Sequence, residues 1–565
     1  MRSALVAVLL ASILVVAGNA RAMHAWVDED PLTGAEGADI AVASLSAPTL
    51  ARTGRVTSIS ATLVERSGNT GGRVNVTLSS GPTILELVSA VVVPAKGTSV
   101  VTFTPTFASG GTYPLTVTVA DAATAQTKDS RSGSIGVTDF ALMPSNVLTP
   151  SFAGFGAQLN QHVYAQISQA AGVPPNPVEL EDAVVGLQPQ LVRIFFNNSE
   201  FTLADRMDSF VRTALLAQRS GATINVTWQG GSFPEATAQR FTDVLVDLIK
   251  NRGVDNLRWV TIQNEPNSTT ITPEQNEQMY RLLDRDLVAA GIRDHVRFMG
   301  GDLVQNNQRA WFQYMAEHMS DILDAYSIHV FWDYWDTPKL QQRLTEVRAI
   351  VDALPAAGRK PLYVTEYAVR GVRNYGGATL PEPGVFSDGT PMRKANVNAF
   401  QHLWFDVLAT KLAYRGTVKW DSYFGKYDNG TQAFYMINGP EDAWSRNPVY
   451  WATRLLTQTV RRGWRVIAVD GAVGTKLVTA FTGAAGEVTV MGLDVSGATL
   501  NAPSATQVTY SVAGLPPSAQ LHLLVWNRGG DGIVSDAGLV GTDGAGVATV
   551  TIPVHAVFAL TSLAG

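Results

Sequence analysis

At 565 residues, 46% of them hydrophobic and only 16% charged, the chain is too long for one ordinary domain and apolar enough to bury large cores, so two or three globular domains are expected. A formal charge of -6 without any dense Lys/Arg block excludes a broad basic field, and with it nucleic-acid binding or attraction to anionic lipid. The absence of cysteine excludes disulfides, thiolate catalysis and cysteine metal sites, which leaves core size as the source of stability.

Taken in chain order, residues 1–22 read as a secretory signal peptide. Arg2 supplies the cationic start, Leu5 to Ala17 the apolar run, and Ala20-Arg21-Ala22 the small-residue cleavage site. The run is shorter than the roughly 20 residues that a spanning helix needs, so the reading is export with no membrane insertion after cleavage. Residues 23–44, with Asp28-Glu29-Asp30-Pro31 and few large apolar side chains, read as a flexible entry segment. From 45 to 140 short alternating runs such as Val56 to Val64 and Thr112 to Ala120 are punctuated by Gly/Ser/Asn clusters, the pattern of an immunoglobulin-like β-sandwich.

Over 141–462 strand-like runs alternate with amphipathic helical ones. The strand candidates are Phe152 to Leu159, Leu191 to Phe196, Thr223 to Trp228, Trp259 to Gln263, Val296 to Gly300, Ala325 to Val330, Pro361 to Thr365 and Thr417 to Trp420. Helices open at Thr272-Pro273 and Thr337-Pro338, a capping residue followed by a proline at the first helical position. Eight such units predict a (β/α)8 TIM barrel, whose sites are built at the carboxyl ends of the strands. An open doubly wound sheet is disfavoured because no Gly-rich phosphate loop follows the first strand. Residues 463–565 return to strand-like runs alone and predict a C-terminal β-sandwich. Its apolar last stretch, Val554 to Leu560, suits a sheet packed tightly on the barrel. The expected fold class is multidomain α/β: a TIM barrel flanked by two β-sandwiches.

Two of the predicted strands end in chemistry. Trp259-Val260-Thr261-Ile262-Gln263-Asn264-Glu265-Pro266 is a buried run that stops at an amide and a carboxylate, closed by a proline that cannot donate to a ladder. Leu362-Tyr363-Val364-Thr365-Glu366-Tyr367 likewise ends in a carboxylate. At the ends of strands four and seven of one barrel, Glu265 and Glu366 would face each other. Two facing carboxylates suit glycosidic cleavage, one protonating the leaving oxygen and the other attacking or activating water.

Asn264-Glu265-Pro266 on the fourth strand with Glu366 on the seventh resembles the clan A retaining glycoside hydrolases, over residues 150 to 462 and in a layout closest to families 39, 30, 51 and 5. The resemblance implies Glu265 as acid/base, Glu366 as nucleophile and Asn264 as the amide that binds the sugar 2-hydroxyl. It also implies Arg193 beside the nucleophile, His329 on the sixth strand, and Trp420 on the eighth as the sugar floor, with Trp228 as a candidate for the sugar-binding wall. The clan's tyrosine two residues after the histidine is replaced here by Phe331, which leaves Tyr334 as the candidate hydroxyl. Tyr423, Tyr427 and Trp444 are candidates for distant subsites. No cofactor or metal spacing is present, and Asp531 and Asp536 fit an exposed turn as well as a calcium loop. The expectation is a secreted, monomeric glycosidase acting on a polysaccharide or oligosaccharide; the competing reading is a catalytically silent carbohydrate-binding or adhesion protein on the same scaffold.

Overall fold

The computed structural model describes residues 37–68, 70–374, 376–423, 434–496 and 506–563. The expected signal peptide and Tyr427 lie outside them. The chain divides into two compact units: residues up to 46, 59–103 and 115–133 form the smaller, and 47–58, 104–114 and 134–565 the larger.

Among the described residues, the regular structure of the smaller unit is all strand. Ile40–Ser46, Ile59–Glu65 and Thr98–Phe103 make an antiparallel sheet, and Gly72–Ser80 pairs antiparallel with Thr83–Val93. Alternate residues such as Ile59, Ala61 and Leu63 or Val74, Val76 and Leu78 are fully buried, as period-two patterning requires. The first strand begins at Ile40, inside the segment expected to be flexible through residue 44. Ile40, Ala41 and Val42 are buried there, paired with Glu65, Val64 and Leu63.

The larger unit holds a closed barrel of eight parallel strands: β1 Gly154–Leu159, β2 Leu191–Phe196, β3 Thr223–Trp228, β4 Leu257–Ile262, β5 Arg297–Leu303, β6 Ala325–Trp332, β7 Leu362–Val369 and β8 Gly416–Lys419. Eight main helices follow them in turn: α1 Val178–Leu187, α2 Ala204–Arg219, α3 Glu235–Val246, α4 Pro273–Ala289, α5 Gln308–His318, α6 Thr337–Asp352, α7 Asn396–Lys411 and α8 Pro448–Thr459. At α4 the Thr272 hydroxyl accepts from Gln275 N (3.3 Å) while the Gln275 side chain accepts from Thr272 N (2.9 Å), a complete capping box. At α6 the expected cap differs. Thr337 is already helical and its hydroxyl donates to Tyr334 O (2.6 Å), because a 3-10 turn over Tyr334–Asp336 feeds the helix directly.

Inside the barrel the floor is apolar: Leu191, Trp259, Met299, Ala325, Tyr363 and Val418 form one buried cluster, with the Trp259 and Tyr363 rings 5.6 Å apart. Outside it, the barrel and the C-terminal sheet share one core. Trp464, Phe481, Met491, Trp526 and Val557 belong to the same buried cluster as the barrel helices. That sheet has nine strands, and one of them precedes the barrel. Phe140–Thr149, placed by the sequence reading in the barrel segment from residue 141, pairs antiparallel with Arg465–Asp470 and parallel with Gln507–Ala513. The barrel is thus inserted between two strands of its own supporting sheet.

Candidate active site

Three local irregularities turn charged side chains into the mouth of the barrel. After β4, Gln263 (φ 73°) and Glu265 (φ 47°) are both left-handed, a conformation that costs a non-glycine residue about 1–3 kcal/mol and persists only where the surroundings impose it. Here they do: the Gln263 side-chain oxygen accepts from Gly231 N (2.9 Å), Asn264 N donates to Trp228 O (3.2 Å), and Pro266–Ser268 forms a 3-10 turn.

On β7 the register with β6 slips between Ile328 and His329, whose partners are Val364 and Glu366. Thr365 therefore faces inward by ordinary alternation, and the bulge turns the next residue, Glu366, inward as well. On β5 a second slip lies between Gly300 and Leu303. Gly301 takes φ +116° there, with a hypothetical Cβ only 2.9 Å from Ser327 O, so only glycine fits, and Asp302 follows at φ 47°.

The side chains so aimed meet around Arg193, which is fully buried. Its Nη1 donates to Glu366 Oε2 (2.7 Å) and its Nε to Thr227 Oγ1 (2.9 Å), while Nη2 donates to Asp302 Oδ2 (2.6 Å) and Asn264 Oδ1 (2.5 Å). Gln158 on β1 lies 3.4 Å from Nη1. The half-buried Asn264 thus has its side-chain oxygen taken by Arg193, which leaves its amide N–H groups as the donors it can offer. His329 completes the ring of charges: Nδ1 is 2.9 Å from Glu265 Oε1 and 3.9 Å from Glu366 Oε2, and Nε2 is 3.6 Å from Asp302 Oδ2. Asp302 also accepts from the hydroxyls of Ser327 (2.7 Å) and Thr365.

Three carboxylates and two cations share this space, and their protonation follows from it. Burial penalises the Asp302 carboxylate, but the charges of Arg193 and His329 outweigh that and hold it well below the usual range. Glu265 is also pushed up by burial, yet the hydrogen bond and charge of His329, with Arg193, bring it below its ordinary value. Burial wins at Glu366, which is raised although His329 and Arg193 oppose it. His329 is the converse case: burial disfavours its cation, but Glu366, Asp302 and Glu265 raise it to about 9. One oxygen from each glutamate and a ring nitrogen of His329 lie within 4.8 Å of one another, a possible donor set for a metal ion. Against a metal stands the fixed guanidinium on Glu366, which already supplies the positive charge.

The aromatic candidates divide. Trp420 is half-buried at the mouth, its ring 5.9 Å from that of Phe195, which in turn lies beneath the Arg193 guanidinium at 4.3 Å. Trp228, expected in the sugar-binding wall, faces away from the mouth. It is fully buried behind β3 among Phe196, Phe201, Phe233 and Phe241, with ring centroids 5.2–6.2 Å away. Alternation explains this: Asn225 and Thr227 face inward and bond Thr261 and Arg193, so Trp228 must face the helices.

Tyr334 was the candidate for a hydroxyl near the nucleophile. It is fully buried against Phe386 of the loop after β7 (5.7 Å), while Arg193 and His329 hold Glu366. Phe331 stays at the half-open inner face of β6. Tyr423 and Trp444 are buried, and Asp531 and Asp536 accept from Ile533 N and Gly538 N as turn-closing residues.

The sequence reading missed Asp302, Thr227, Gln158, Ser327 and Thr365. Gly300-Gly301-Asp302 carried a signal: a glycine pair followed by a carboxylate at the end of a barrel strand reads as a bulge that re-aims an acid.

Compared with family models and with curated proteins, the sequence finds no match. Among solved structures it is similar to a GH30 xylanase C catalytic domain from Talaromyces cellulolyticus (12% identity, TM-score 0.53, 75% of this chain and 99% of that one). It is equally similar to an α-L-arabinofuranosidase from Thermotoga maritima in complex with arabinose (12%, 0.53, 75% and 99%). SrfJ from Salmonella typhimurium follows (11%, 0.52, 80% and 100%). At 11–12% identity the likeness is one of fold: the chain shares with these structures a fold built on a closed barrel of eight parallel strands.

Proposed function

We propose that this protein is an exported O-glycosyl hydrolase that cleaves a polysaccharide or oligosaccharide with retention of configuration. One observation carries the reading: a carboxylate oxygen of Glu265 and one of Glu366 lie within 4.8 Å of each other across the barrel mouth. Retaining enzymes hold their carboxyl groups about 5 to 5.5 Å apart, whereas an inverting enzyme needs about 6.5 to 9.5 Å to seat a water between base and sugar. So close an approach of the two carboxylates favours the retaining arrangement, in which Glu366 attacks the anomeric carbon itself.

Glu366 is the nucleophile because the guanidinium of Arg193 is fixed on its Oε2. Departure of a glycosyl group leaves that cation to stabilise the carboxylate, which suits a group that must also leave in the second step. Glu265, with 27% of its side chain exposed, reaches the leaving oxygen as acid and then deprotonates the incoming water. Asn264 donates to the sugar 2-hydroxyl, and Trp420 offers a ring face to its C–H groups.

A mechanism-based 2-fluorosugar tests this by labelling the peptide Tyr363-Val364-Thr365-Glu366-Tyr367, and NMR of the first product tests it by the anomer released. An inverted first product, or a label on another carboxylate, overturns the assignment. Glycan binding without release of reducing ends across a panel of aryl glycosides and polysaccharides would favour the silent binding protein instead.

A further inference from the structure

The proton that Glu265 must give to the leaving group is not on Glu265 in the empty site, where His329 holds that carboxyl below its ordinary value. The ring of His329 shows where it is kept. Both its nitrogens face carboxylates: Nδ1 faces Glu265 at 2.9 Å with Glu366 behind it at 3.9 Å, and Nε2 faces Asp302 at 3.6 Å. A bare ring nitrogen turned toward an ionised carboxylate is repelled, so this geometry fits the imidazolium, with a proton on each nitrogen.

The two nitrogens are not equivalent, because their carboxylates differ. Asp302 is fully buried and accepts from Arg193, Ser327 and Thr365, so it stays ionised; at 3.6 Å it makes no hydrogen bond to Nε2 and favours the proton there by its charge alone. The Glu265 carboxylate is hydrogen-bonded to His329 and partly open to solvent, so it can take up a proton. The charged groups facing His329 are thus Glu265 from the end of β4, Asp302 from β5 and Glu366 from β7, with Arg193 from β2 behind the last two.

We infer that His329 is a proton relay for Glu265, and that Asp302 is the positioning residue that makes Nδ1 the nitrogen through which the proton passes. This rests on the hydrolase reading. In the resting site the pair is imidazolium and carboxylate; a docked sugar strips water from Glu265 and favours the neutral pair, so the Nδ1–H bond breaks and an O–H bond forms on Glu265. Glu265 then gives this proton to the departing oxygen as Glu366 bonds to the anomeric carbon. In the second step water attacks that carbon, the bond to Glu366 breaks, and the water's proton goes to Glu265 and back to Nδ1. Proton and charge return to their starting places. Like the buried carboxylate of a catalytic triad, Asp302 favours one protonation state of the ring and is not itself protonated, but it does so across 3.6 Å by charge and not through a hydrogen bond.

The test is a titration of the substrate-free protein labelled with 15N-histidine, with the His329 signal assigned by its loss in His329→Gln. Both ring nitrogens are expected to carry protons at neutral pH and to lose one only as pH approaches about 9. A neutral His329 at pH 7 in the wild-type protein overturns the inference. In Asp302→Asn the ring should turn neutral at a pH lower by about one unit or more. With a glycoside of poor leaving group, the basic limb of kcat/KM should move down with it, whereas with a dinitrophenyl glycoside, which needs no acid, the limb should not follow the ring. A uniform loss of rate with an unmoved limb would make Asp302 merely structural. If Asp302→Asn does not fold, the wild-type titration still decides. Because that titration needs no turnover, a protein with no glycosidase activity would count against the hydrolase reading, not against the ring's charge.

Discussion

The interior of the barrel contains two layers built on the same strands and opposed in chemistry. Toward the amino ends, Leu191, Trp259, Met299, Tyr363 and Val418 close a dry apolar plug. Two or three residues farther along those strands stand Arg193, Thr261, Asp302 and Thr365, with Glu366 beside the last. The plug obeys strict alternation and fills space. The upper layer departs from it by bulges and left-handed residues and concentrates charge. Stability and chemistry are thus separated by less than one strand length, and the lower layer holds still what the upper layer must aim.

Substitutions can break this comparison, and the largest effect belongs to the upper layer. Glu366→Gln should lose about 10⁴-fold or more of kcat/KM with every substrate, since no later step proceeds without a covalent intermediate, while the melting temperature changes little. Steady-state rates alongside thermal unfolding check both halves. Glu265→Ala should lose about 10²- to 10⁴-fold with poor leaving groups and far less with activated ones. Azide should restore part of the rate and yield a glycosyl azide of retained configuration, read by NMR; rescue at Glu366 with inversion would exchange the two roles.

The lower layer should behave oppositely. Met299→Ala removes a fully buried side chain and is expected to cost about 2–5 kcal/mol in urea unfolding, with kcat of the folded protein near wild type. A loss of kcat at unchanged stability would show that the plug takes part in aiming the charges. The smallest effect is expected at Tyr334→Phe: its ring packing on Phe386 survives, and kcat and the pH profile should stay within about twofold, the small change usual where no named mechanism is touched.

What could be read in advance follows this division. Apolar strand-like runs between helical stretches made all eight strands legible, and the abrupt ends at Asn264-Glu265 and Glu366 marked the mouth. Alternation alone would have turned Glu366 outward, since Tyr363 and Thr365 face in; its inward position depends on a bulge that no periodicity announces. Asp302 escaped notice because the strand was ended at Gly300, just where the chain departs from regular pleating. Trp228 was misplaced for the opposite reason: Thr223-x-Asn225-x-Thr227 already assigned the inner face, so the intervening Ile224, Val226 and Trp228 belonged to the helices. Pairing between Phe140–Thr149 and strands beyond the barrel is set by long-range contacts, which a local pattern does not carry.

That last pairing also has a history in time. During synthesis Phe140–Thr149 leaves the ribosome about 300 residues before Arg465–Asp470, and at about 5–20 residues per second it waits roughly 15–60 s for its neighbour. Throughout that interval a strand carrying Phe140 and Leu142 has neither edge covered by its final partners. The barrel must be made, and largely folded, while the first strand of its supporting sheet stands open to any other extended chain nearby. The growing polypeptide, more than the finished protein, is where this architecture is vulnerable to misassembly.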